Sequence, residues 1–203
     1  MLITEIVRID AAAPDRAVLE AAARVLASGG LVGFPTETFY GLGAAALDAG
    51  AARRIFELKG RPRSSPLLVL VDSLEMARRI ADVPERARSL IARHWPGPLT
   101  LVLPARPGLP DEVTASTGTV GVRVSAHPVA RGLVAALGAP VTAPSANLSG
   151  ASPPTVAGDV VRAFADRIEL VLDGGATAGG PPSTVLDVTV EPPRVIRAGA
   201  VRV

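Results

Sequence analysis

The sequence predicts a layered α/β (α+β) fold, several helices flanking an open, twisted mixed sheet, and three observations carry that expectation. Helix-like and strand-like segments alternate along the chain, the pattern of stacked helix and sheet layers. The 203 residues fit one core, since single cores stop growing efficiently only at roughly 250 to 300 residues. With 48% hydrophobic and 20% charged residues, the chain carries enough apolar surface to fill that core. Residues 1–203 are therefore read as one domain.

Pro14 and Asp15 open DRAVLEAAARVLASGG, where Val18, Leu19, Ala22, Val25 and Leu26 recur at helical spacing and Gly29–Gly30 supply a stop. LVGF (31–34) reads as a short buried strand closed by Pro35, and PTETFYGLG (35–43) as a polar, glycine-rich loop at its carboxyl end. Asp48 is placed to cap a helix through about Leu58. KGRPRSSP, punctuated by Gly60, Pro62 and Pro66, follows as an exposed loop. Next come a strand LLVLV (67–71), helices near 73–80 and 84–94, and strands TLVLPA (100–105) and VGVRVSA (120–126). HPVARGLVAALG (127–138) is helical in pattern, PVTAPSANLSG (140–150) is a strand running into a polar loop, and 155–165 is helical again. Strands IELVLDGG (168–175) and STVLDVT (183–189) flank a Gly/Pro-rich connection. No internal repeat, low-complexity segment or linker marks a domain boundary. The polar loops gather at strand ends, where open α/β sheets bind ligands.

Composition narrows the chemistry. Zero Cys removes disulfides, thiolate metal sites and Cys nucleophiles together. His94 and His127 could at most complete a metal site built from carboxylates, so no metal site is expected. The apolar runs are strand-sized, far short of the roughly 20 residues that span a bilayer, and MLITEIVRIDAAAPD has no basic region followed by an apolar run. A cytoplasmic protein without membrane contact is expected. A formal charge of +2 does not by itself indicate nucleic-acid binding. Of the 21 basic residues, twenty are Arg and one is Lys59.

Familiar nucleotide and hydrolase signatures are missing. There is no phosphate loop with its Lys-Ser/Thr ending, and Gly41–Ala46 matches the dinucleotide fingerprint only loosely. No Gly-x-Ser-x-Gly elbow supports a Ser-His-Asp hydrolase, and His127, set against Pro128, reads as structural. What remains are three polar loops, PTETFYGLG, KGRPRSSPL and PSANLSG. Together they offer hydroxyls, the cationic pair Lys59 and Arg61, and an Asn amide. That inventory suits holding phosphates and a small polar substrate by positioning and charge neutralisation.

In GGLVGFPTETFYGLG, LKGRPRSSPL, HWPGPLTLVLPA, TVGVRVSAHP, PSANLSG, DGG, PSTVLD and VIRAGAV, taken in order, the chain resembles the YrdC-like family, the L-threonylcarbamoyladenylate synthases, in their short single-domain form. The resemblance runs nearly end to end and implies the YrdC/RibB-like fold, an open twisted mixed sheet flanked by helices around a concave positive cavity. It also implies that Lys59, Arg61, Ser145 and Asn147 contact the nucleotide and its phosphates, Lys59 and Arg61 as the catalytic cations. Ser65, Thr119, Ser152 and Arg197 are implied as further ATP contacts. Thr36 and Thr38 resemble the hydroxyl pair beside the threonine substrate, Arg123 its carboxylate partner and Ser183 another threonine contact. Departures fall at the amino-acid end. Longer relatives often carry His where this chain has Leu70 and Thr where it has Ala143, and Ser125 occupies a common Pro position.

The implied reaction joins L-threonine and bicarbonate or CO2 as a carbamate, which attacks the α-phosphorus of ATP and expels pyrophosphate. Mg²⁺ carried with ATP, together with Lys59 and Arg61, would stabilise the developing charge. The implied partners are ATP, L-threonine, bicarbonate and the threonylcarbamoyl transferase complex that uses the product to modify tRNA, with room for weak direct tRNA binding. The rival expectation is an RNA-binding paralogue that has lost synthesis. Against it, only six aromatics are present and Tyr40 alone falls in a candidate site, too few for base-stacking platforms.

Overall fold

The computed structural model describes residues 2–203. Its elements in chain order are β1 (Glu5–Arg8), α1 (Arg16–Ala27), β2 (Val32–Pro35), β3 (Tyr40–Gly43), α2 (Ala49–Lys59), β4 (Leu68–Leu70), α3 (Leu74–Ile80), α4 (Glu85–His94), β5 (Leu99–Pro104), α5 (Asp111–Thr114), β6 (Thr119–Arg123), α6 (Pro128–Leu137), β7 (Val141–Thr142), α7 (Ala157–Phe164), β8 (Leu170–Asp173), β9 (Thr184–Asp187) and β10 (Arg194–Arg197). Local chemistry fixes several boundaries. Asp15 caps α1 by accepting from the N–H groups of Ala17 and Val18, and Asp48 caps α2 by accepting from Ala51. Gly60 ends α2 in the left-handed conformation at φ 59°. His127 caps α6, its ring nitrogen Nδ1 accepting from Val129 N–H at 3.2 Å, which bears out its structural reading.

The single mixed sheet expected from the sequence resolves into two. A four-stranded sheet runs β1-β8-β2-β3 and a six-stranded sheet runs β10-β9-β5-β6-β4-β7, each combining parallel and antiparallel pairs. They join where β3 and the residues after it meet β7 and the residues after it, through bridges Gly41–Ser145 and Ala45–Val141 and a 2.8 Å bond from Leu42 N–H to Pro144 O. One hydrophobic cluster, including Phe34, Leu42, Leu101, Val122, Leu133 and Phe164, runs through the molecule. Among the described residues no helix is long and apolar enough to cross a membrane.

PTETFYGLG is not a loop throughout. Its second half is β3, paired antiparallel with β2 from Val32–Gly43 to Pro35–Tyr40. The glycines are there for close packing: a Cβ on Gly43 would fall 2.9 Å from the Phe34 ring. Tyr40 and Leu42, alternating with them, are fully buried. Lys59, expected in an exposed loop, is instead the last residue of α2 and only 3% exposed. Strands β1 and β10 and the short helix α5 were not apparent from the sequence. Both strands are sheet edges, almost wholly exposed, and are held by backbone pairing with β8 and β9.

Candidate functional site

A cavity of about 690 Å³ opens over the six-stranded sheet. Strand alternation builds its floor: Thr100 and Val102 of β5, Thr119, Gly121 and Arg123 of β6, and Val185 and Asp187 of β9 all face it. The intervening Leu101, Val120, Val122 and Leu186 are buried in the core. The walls come from the β2–β3 turn (Thr36, Thr38), the chain after α2 (Arg61, Ser65), the segment after β7 (Ser145) and strand β10 (Arg197).

Nine of the twelve site residues expected from the sequence line this one cavity: Thr36, Thr38, Arg61, Ser65, Thr119, Arg123, Ser145, Ser183 and Arg197. The other three do not. Lys59 lies behind the wall, its ammonium donating to the carbonyl oxygens of Ser145 and Asn147, both at 2.5 Å. The Asn147 side chain is also turned inward, donating to Leu148 O at 2.9 Å and Ala151 O at 2.7 Å, while its Oδ1 is buried without a partner. Ser152 is exposed and sits with Asn147 on a shallower depression beside α7. Lys59 and Asn147 thus shape the rim from within.

The cavity is electropositive. Burial lowers the pKa of Arg61 and Arg123, and Arg197 is lowered first by burial and then by the charges of Arg123 and Arg61. Three guanidinium groups on one cavity, with Arg197 feeling the charges of the other two, favour an anionic occupant. Arg197 is braced by Ser183, donating to its carbonyl at 2.8 Å and its Oγ at 2.9 Å. The Ser183 hydroxyl in turn lies 3.1 Å from Thr100 Oγ1. The sole lysine is driven down to about 8 by burial and by Arg61.

Sequence reasoning missed Glu37 and Thr100. Glu37, between the two wall threonines, accepts from Arg123 Nη1 at 2.8 Å and from Ser125 Oγ at 2.5 Å. The signal for it was a lone carboxylate in a hydroxyl-rich segment, since a buried Arg requires a counter-charge. Thr100 interrupts the apolar run of β5 with a hydroxyl facing the cavity. Leu70 is fully buried and outside the cavity lining, while Ala143 lies on its surface.

Comparison with known proteins matches a family model, Sua5/YciO/YrdC, described as telomere recombination, to residues 24–199. A threonylcarbamoyl-AMP synthase of Pyrococcus abyssi is 48% identical over 179 residues, covering 88% of this chain and 53% of that protein. One from Bacillus subtilis is 43% identical over 182 residues, covering 89% and 53%. The chain spans about half the length of these two relatives. A crystal structure of P. abyssi Sua5 complexed with L-threonine superposes with a TM-score of 0.93 at 45% identity, covering 97% of this chain and 58% of that one.

Proposed function

The chain belongs to the Sua5/YciO/YrdC family, and from that premise we propose that it is a threonylcarbamoyl-AMP synthase, a nucleotidyltransferase joining L-threonine, bicarbonate and ATP. The observation that carries the reading is the convergence of Arg61, Arg123 and Arg197 on one hydroxyl-lined cavity. The names of the relatives and the L-threonine in the P. abyssi complex support the choice of substrates.

The threonine amine and bicarbonate combine to a carbamate with loss of water. A carbamate oxygen then forms a bond to the α-phosphorus of ATP as the bond to the β-phosphate oxygen breaks, giving threonylcarbamoyl-AMP and pyrophosphate. Arg61 and Arg197 neutralise charge on the phosphates, and the Thr119, Ser65 and Ser145 hydroxyls donate to them. Thr36, Thr38, Ser183 and Arg123 hold the amino acid. Lys59 and Asn147 act by fixing the rim segment that carries Ser145. In this proposal Mg²⁺ would enter with the ATP substrate and would supply further charge neutralisation at its phosphates. The product would pass, in the cytoplasm, to the transferase complex that modifies tRNA. Incubation with ¹³C-bicarbonate tests the reading: threonylcarbamoyl-AMP carrying the label should appear by mass spectrometry, and an unlabelled or threonine-free adenylate would overturn it.

A further inference from the structure

Arg123 is 3% exposed, and its one hydrogen bond among the described residues runs from Nη1 to Glu37. Its Nε is buried without a partner. A guanidinium offers two edges for two-point binding of a carboxylate, the Nη1–Nη2 end and the Nε–Nη2 side. Glu37 occupies Nη1, and Ser125 holds the other Glu37 oxygen at 2.5 Å while also accepting from His127 N–H at 3.2 Å. That bracing stops Glu37 from swinging to the other edge. The side edge has no protein partner in a residue that lines the cavity, and its buried Nε is a donor whose desolvation cost is recovered only when an acceptor arrives.

We propose that Glu37, braced by Ser125, is a positioning residue that fixes which edge of Arg123 is offered to the carboxylate of the amino-acid substrate, making the Nε–Nη2 side the receptor. The identification of that carboxylate as threonine's rests on the function proposed above. Because Glu37 stands between Thr36 and Thr38, the same ion pair ties the wall hydroxyls to the sheet floor. It sets the distance between the groups that would hold the two ends of the amino acid.

The test is calorimetric binding of L-threonine, L-serine and L-threoninol, which lacks the carboxylate, with ATP binding and melting curves as controls. Glu37→Ala should lower threonine affinity about tenfold or more, leave ATP affinity within about twofold, and shrink the preference for threonine over threoninol. Glu37→Gln keeps an oxygen acceptor for Nη1 and should restore most of the loss. If Glu37→Ala does not fold, Ser125→Ala carries the test, with threonine affinity expected to fall about threefold and ATP unchanged. Wild-type threonine affinity in whichever variant carries the test, or a parallel loss of ATP binding, overturns the proposal. Wild-type binding of serine without threonine would support the receptor while sinking the synthase reading, and binding of no amino acid would sink both.

Discussion

The Lys59 ammonium donates to the main-chain oxygen of Ser145 at 2.5 Å, joining the end of helix α2 to the segment that forms the cavity rim. A side chain that the sequence places in solvent is therefore an internal tie between two walls of the site. Its partners are carbonyl oxygens, which accept a compact ammonium readily and offer a planar guanidinium no matching fork.

Lys59→Arg and Lys59→Ala should consequently lose both activity and stability. Removing the tie deletes two charge-assisted hydrogen bonds, leaving Asn147 O without a donor and Ser145 O with only the Asn147 N–H, at a cost of about 2 to 4 kcal/mol. In a chain of this size that amounts to roughly 5 to 10 °C in melting temperature. Melting curves beside synthesis rates check this. An unchanged melting temperature in Lys59→Ala would return Lys59 to a solvated cation.

Burial and the Arg61 charge bring Lys59 down to about 8 from 10.5, so between those values the unfolded chain holds more protons than the folded one. Stability must rise with pH across that window. Tyr40 acts in the opposite sense: burial, then the Asp173 charge, raise its phenol to about 12 from 10.0, so its contribution is complete below pH 10 and lost between 10 and 12. With one Lys, one Tyr and no Cys, no other side chain of these types titrates in this range. The melting temperature should climb from pH 8 to about 10 and then turn over. Lys59→Met should remove the climb, and a wild-type curve falling from pH 8 would contradict the buried ammonium.

Asn147→Ala should destabilise the rim. The side chain is 9% exposed and closes the turn by donating to Leu148 and Ala151, so its loss should cost about 1 to 3 kcal/mol. It should also weaken ATP binding through disorder of the Ser145 segment. Hydrogen exchange read at residues 145–152 distinguishes this from a direct contact: weakened ATP binding with unaltered exchange would mean the amide touches nucleotide itself.

Helices α1, α2, α3, α4 and α6 were legible from apolar periodicity, with caps and stops agreeing at α1 and α2 through Asp15, Asp48 and Gly60. The cavity floor was half legible. Strands β5 and β6 were evident, but which side faced the cavity depended on Thr100 and Arg123 sharing one pleat face across two strands, a register no single segment carries. Strands β1 and β10 were invisible because nearly all their residues are exposed, so no apolar alternation marks them, and their ladder pairing is supplied by the backbone. Lys59 and Asn147 were expected to contact the nucleotide, and the structure places both outside the cavity lining, behind its rim. Local composition marks a loop as polar without saying where its polar atoms turn. Glu37 escaped notice because its role exists only opposite Arg123, 86 residues away.

The most direct test of the central claim is pyrophosphate release by purified protein with ATP, Mg²⁺, L-threonine and bicarbonate, each omitted in turn. Release is expected only with the complete mixture, with no change on adding tRNA, because the adenylate forms before RNA is engaged. Release that persists at the same rate without threonine would contradict it.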